Sequence, residues 1–221
     1  PIQGGIRLSG NLDENWRVGL MDIQTRQDDE LNLAGENFGV VTLQRKVFDR
    51  SNISAIFVNK QAVRFNKNQN NTSEYNRNVG LEYNYFSADN LWSGKLLFLK
   101  SLSPIATQQG EVFASHIGYQ STRWNWRVQQ EYISGDYSAE VGFVPRNNYI
   151  KLQATGGYLY YTKKDTPLLA HGPRLGRTYY FDTDFNKKDQ TQQFDYLFNF
   201  KDRSRFTLGL QRQYIELLSD F

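Results

Sequence analysis

The sequence predicts an all-β chain, a transmembrane antiparallel up-and-down β-barrel, and three observations support that expectation. Segments of roughly ten residues alternate apolar and polar side chains, as strands with one lipid-facing and one polar face do. The connections between them alternate short and long. The chain is also rich in aromatics, with 14 Tyr, 15 Phe and 4 Trp, yet its mean hydropathy is −0.65. Lipid contact by every second strand residue accounts for both properties.

Residues 78–86 show the alternation most plainly. Val79, Leu81, Tyr83 and Tyr85 fall on one face, and Asn78, Gly80, Glu82, Asn84 and Phe86 on the other. The same criterion places strands at 4–10, 16–24, 38–48, 52–61, 77–86, 91–102, 112–120 and 124–133, then at 149–161, 177–185, 192–200 and 205–217. In the last two, Phe194, Tyr196, Phe198 and Phe200 oppose Asp195 and Asn199, and Phe206, Leu208 and Leu210 oppose Thr207, Gly209 and Gln211. Only residues 28–34 hint at a helix, and they are too short to hold one alone. Aromatics gather at strand ends, as in Tyr158-Leu159-Tyr160-Tyr161 and Tyr179-Tyr180-Phe181, where interfacial girdles sit.

The tight connections are 11–15, 49–51, 87–90, 121–123 and 201–204, all built of turn-forming polar residues. Between them lie the longer stretches 25–37, 62–76, 103–111 and 134–148. Short turns on one rim and long loops on the other are the asymmetry of outer-membrane barrels; a soluble sandwich uses the same strand alternation without that rhythm. The pattern falters at 162–176, where Pro167 and Pro173 bracket a stretch read as irregular.

Composition narrows the function classes. The 221 residues suit one large all-β domain, and no run approaches the ~18 apolar residues of a spanning helix. With no Cys, disulfide and thiolate chemistry are excluded. The net charge of +3 is spread over 26 basic and 23 acidic residues, unlike the concentrated footprint of a nucleic-acid binder. The start, Pro1-Ile2-Gln3-Gly4, shows no signal peptide, and residues 216–221 stop within a strand pattern. The expectation is a piece of a longer exported protein: residues 1–221 form about twelve strands of a single larger barrel.

Few constellations suggest chemistry. His116 and His171 have no zinc-site spacing and read as structural or lumenal hydrogen-bonding groups. Two carboxylate pairs have the residue types of a glycosidase: Asp182 with Asp184, read as one strand face, and Asp136 with Glu140 in the long loop. Nothing around either pair suggests a nucleophile, and a polar lumen lining explains the first. Residues 66–72 carry oxygen-bearing side chains at alternate positions but lack the charge and closing acid of a calcium loop. Gly156-Gly157 marks a bend or bulge. No residue is assigned a catalytic, cofactor-binding or metal-ligating role, and no cofactor is expected.

Several stretches resemble one family. They are Gly4-Gly5-Ile6-Arg7-Leu8-Ser9-Gly10 with residues 16–25, residues 37–45 with 50–61 (ending Asn59-Lys60-Gln61), Tyr75-Asn76-Arg77, Glu140-Val141-Gly142-Phe143-Val144-Pro145-Arg146 and His171-Gly172-Pro173. The family is the large outer-membrane barrel proteins with an N-terminal domain similar to carbohydrate-binding module family nine, whose barrel region is a domain of unknown function. The stretch ending Val141-Gly142-Phe143-Val144-Pro145-Arg146 is its most specific part; Asn147-Asn148 departs from the charged residue expected there. The resemblance implies that an N-terminal domain and closing strands lie outside these residues.

The expected role is that of a pore, transport or secretion-associated component of the Gram-negative outer membrane, without catalytic activity. Outer-membrane lipid and lipopolysaccharide are its expected partners, with glycans or other envelope proteins further possibilities. The alternative is a membrane anchor for a carbohydrate-binding surface protein, in which Phe65, Tyr137 and Tyr161 stack on sugars. A third is an envelope hydrolase with its active site outside these residues.

Overall fold

Period-two patterning over most of the chain leaves strands as the only regular structure that segregates its side chains, and strands are what form. The computed structural model describes residues 1–63, 73–104 and 110–216. It contains thirteen strands: β1 (Ile2–Asn11), β2 (Trp16–Thr25), β3 (Gly35–Val47), β4 (Ser51–Val63), β5 (Tyr75–Phe86), β6 (Trp92–Leu102) and β7 (Gly110–Gln120), then β8 (Trp124–Ile133), β9 (Tyr149–Tyr158), β10 (Tyr160–Tyr161), β11 (Leu168–Phe181), β12 (Lys187–Phe200) and β13 (Arg205–Ile215). There is no helix among the described residues. Each strand lies beside its sequence neighbour in one antiparallel sheet, except that β9 and β10 both pair with β11. Among the described residues no pairing joins β1 to β13, and the sheet they form is not closed.

The largest departures from the expected elements lie between 159 and 192. The stretch 162–176 is mostly strand, because β11 starts at Leu168. Pro173 pairs with Tyr196 of β12, but on its other side it falls in the gap between two pairings: β10 meets His171 and Ala170, and the pairing with β9 begins at Arg174 opposite Gly157. A missing N–H costs least where no ladder bond is due. The strand expected at 149–161 is accordingly split at Leu159 into β9 and β10. Asp182 and Asp184 do not share a strand face; they belong to the turn between β11 and β12, which starts at Lys187. Gly156 and Gly157 continue the regular register with Leu175 and Arg174, with no bulge. Residues 66–72 and Phe65 lie outside the described residues.

The chain divides into two compact units. In the first (Pro1–Asn84, Leu96–Phe113, Ile133–Asn148), the usual relation of polarity to burial is inverted along β5 and its neighbours, although Val112, Ile133 and Tyr137 are buried. Along β5, Val79 and Leu81 are 44% and 57% exposed, whereas Asn76 and Asn78, on the other face of the strand, are 0% and 7% exposed. Across the ladder, Val79 pairs with Phe57 and Leu81 with Ala55, on a face shared with exposed Val41 and Leu43. The opposite face holds buried Lys60, Asn76, Asn78 and Ser101 and, farther along the sheet, a band of Met21, Val40, Ile56, Leu97 and Leu99.

The second unit (Tyr85–Lys95, Ala114–Tyr132, and from Tyr149 on) likewise exposes Leu175, Phe194 and Leu208 and buries Asp195, together with Tyr149, Ile150 and Ala170. Rings link several strands on its apolar side. Trp124 meets Tyr158 at 4.6 Å, Tyr158 meets Tyr160 at 4.7 Å, and the series continues through His171, Tyr196 and Phe198 to Phe206. Edge-to-face and offset pairs of this kind add about 0.5–1.5 kcal/mol each beyond area burial.

Candidate functional site

Within the first unit, the connection after β8 folds back over the polar side of the sheet. Its first residue continues the ladder: Ser134 N–H donates to Glu111 O at 2.9 Å, and Glu111 N–H donates to the Ser134 hydroxyl at 2.8 Å. Tyr137 is then pressed against Gly110 and is 5% exposed. A Cβ at residue 110 would collide with the Tyr137 backbone, so this approach needs glycine. Burial alone pushes the Tyr137 phenol above its ordinary pKa.

Further along, buried amides and hydroxyls of the sheet take the place of a partner strand. Asn76 Nδ2 donates to Ser138 O at 3.1 Å, and Glu140 N–H donates back to Asn76 Oδ1 at 3.2 Å. Ser138 N–H donates to Ser101 Oγ at 3.2 Å, and Asn78 Nδ2 holds Asn76 Oδ1 from beneath at 2.7 Å. Asn147 closes the excursion by donating to Tyr137 O at 2.7 Å.

The charged centre lies on this scaffold. Lys60 Nζ of β4 sits 2.5 Å from Glu140 Oε2 and 2.8 Å from Glu36 Oε1 of β3, and Ser73 Oγ donates to Glu140 Oε1 at 2.6 Å. The side chains are little exposed, 7% for Lys60 and 17% for each glutamate. Desolvating one cation and two anions is costly, and it is offset here by short charge-assisted bonds. A buried ion pair is weak evidence of net stability, and this cluster joins the Asn76 and Ser101 bonds in holding the segment that carries Glu140.

Of the paired carboxylates weighed for glycosidase chemistry, Glu140 is engaged by Lys60 and Ser73, and Asp136 is exposed. Asp182 accepts hydrogen bonds from the Asp184 and Asn186 amides, as a turn residue. His116 is half-buried in β7, and His171 Nδ1 lies 2.7 Å from the Tyr196 hydroxyl in the ring series. Tyr137 offers no free ring face for a sugar; Tyr161 is half-exposed and donates to Thr122 O at 2.9 Å. No group of three or more metal-ligating side chains lies together among the described residues.

Lys60, Glu36, Ser73 and Asn76 had no assigned role in the sequence. The available signal was positional: three stretches quoted for the family resemblance, around Lys60, Asn76 and Glu140, each supply one member of this cluster. No family model, curated protein or solved structure matches the chain.

Proposed function

We propose that this chain is part of the wall of an outer-membrane β-barrel of the Gram-negative envelope, acting as a pore, transport or secretion-associated component, with the Ile133–Asn148 segment folded onto the inner surface and narrowing the passage. The observation behind this reading is the row of exposed aliphatic and aromatic side chains along one strand face in each unit, while Lys60, Asn76, Asn78, Ser101 and Asp195 are buried. In water that arrangement forfeits the hydrophobic effect; against acyl chains it is the favourable one. The ring series of the second unit suits an interfacial girdle, with lipid and lipopolysaccharide as neighbours.

The reading also requires that the free edges of β1 and β13 be paired, because unsatisfied strand edges are not tolerated in hydrocarbon. Closure by further strands agrees with the barrel family that the sequence resembles.

The test is fractionation of the protein from a Gram-negative host, electrophoresis before and after boiling, and swelling of liposomes that contain it. Detergent-dependent extraction, a heat-dependent shift in migration and permeability to small sugars are expected. A protein that stays soluble without detergent and migrates identically in both states overturns the membrane reading.

A further inference from the structure

We propose that a cavity on the polar side of the first unit binds a single-chain alkyl carboxylate, an inference that rests on the pore reading for its route of access and names a solute class for it.

The cavity is about 510 Å³ and lies over β1–β6, within the ~300–1,000 Å³ typical of small-molecule sites. Its apolar wall is formed by Met21, Val40, Ile56 and Leu97. These four share the face that carries Lys60 and Asn76 farther along the same sheet, where a water-filled passage calls for polar groups. Among the described residues they are only partly covered, which leaves them accessible to a ligand.

Two guanidinium groups border this wall, Arg7 from β1 and Arg17 from β2. Both are exposed, and neither forms a hydrogen bond or ion pair with a described residue. Glu82, the one carboxylate on the lining, is already engaged and receives the Asn84 amide at 2.6 Å. Unpaired arginine beside an aliphatic wall matches a carboxylate head on an alkyl chain, since the guanidinium fork binds carboxylate bidentately. The lining contains no aromatic ring, which disfavours a sugar needing a stacking platform.

The experiment uses the full chain in lipid nanodiscs and decanoate carrying a fluorine label, followed by ¹⁹F NMR, with decanol and acetate as probes of chain and charge alone. Arg7→Gln/Arg17→Gln is the main variant; both side chains are exposed and unpaired, so the fold does not depend on them. Ile56→Thr tests the wall. Saturable decanoate binding is expected, weakened at least tenfold in the double variant and in Ile56→Thr, with decanol and acetate each binding at least tenfold more weakly than decanoate.

Heat-dependent migration is read on the same samples. Inserted protein that binds no decanoate, or binds it equally in the double variant, overturns the site and leaves the barrel reading standing. A soluble protein without that migration shift overturns the barrel reading, and decanoate titrated into that soluble chain then decides the site by the same variants.

Discussion

Two ion-pair clusters, one in each unit, show how differently a charge can matter. In the second unit, Arg174 Nη2 lies 2.5 Å from Asp195 Oδ2, and Gln193 Nε2 donates to the same carboxylate at 3.0 Å. Arg174 and Asp195 are direct cross-strand partners in the β11–β12 ladder, whose backbone bonds hold them together whether or not they are charged. In the first unit, Lys60 and Glu140 are 80 positions apart, and the ladder places only one of them. Glu140 belongs to a segment with no strand of its own between Ile133 and Tyr149. One pair decorates a geometry already determined by the sheet; the other determines where a segment goes. The leverage of an ion pair is set by what else holds its two ends.

The sharpest way to break this contrast is Lys60→Met. It removes the ammonium that bridges the little-exposed Glu36 and Glu140, and loss of one partner of a buried pair costs roughly 3–5 kcal/mol. The cost is expected to appear as release of the Ile133–Asn148 segment: hydrogen exchange at 134–148 rises to the rate of an open loop, while β11–β13 keep their protection. Single-channel conductance rises with it if the segment narrows the passage. Unchanged exchange at 134–148 would show that Tyr137 packing on Gly110 and the Asn76 and Ser101 bonds suffice, and the distinction between the clusters would collapse.

A smaller effect is expected from Glu140→Gln. Lys60 then keeps Glu36, while its contact with residue 140 is no longer charge-to-charge, and a hydrogen bond to a charged group contributes about 1.5–3 kcal/mol. Partial deprotection of 134–148 is the expected exchange signature. Asp195→Asn in the second unit should deprotect nothing beyond its immediate β11 and β12 neighbours. If it loosened β13 as much as Glu140→Gln loosens the loop, the ladder would not be what holds Arg174 and Asp195 in place.

This difference also explains what was legible in the sequence. Strand alternation is a local property, so residues 78–86 and the faces of Phe194, Tyr196 and Phe198 could be read directly, and the strand expected at 124–133 matches β8. Pro173 misled, because its tolerance depends on a gap between β9 and β10 that only the pairing of β11 reveals. Asp182 misled for a related reason: an aspartate two residues from another reads as one strand face until the strand is known to end at Phe181. The Lys60 cluster was not legible. Nothing local distinguishes a lysine on the polar face of β4 that meets a glutamate 80 residues later from one that meets water. The resemblance marked the neighbourhoods of Lys60, Asn76 and Glu140 without saying that they meet.

The smallest expected effect concerns Asp182, whose network is the most sequence-local of all. Its carboxylate receives the Asn186 amide at 2.8 Å, the Asp184 amide at 3.0 Å and Asn186 Nδ2 at 3.1 Å, with Lys188 Nζ 3.6 Å away. Hydrogen bonds from Asn186, side chain then backbone, hold its pKa below the ordinary aspartate range, with lesser help from the Lys188 charge. The charged form is thus favoured by the folded turn. Its contribution is complete above the ordinary aspartate range and is lost as pH falls through the lowered value. The Asp184 and Asn186 amide resonances should therefore titrate with a midpoint below that of an aspartate in an unstructured peptide, and Asp182→Asn should abolish that titration without altering protection at 134–148. A midpoint at the unstructured value would mean that the turn bonds do not persist in solution. A change at 134–148 would join this turn to the Lys60 cluster and end its standing as a purely local network.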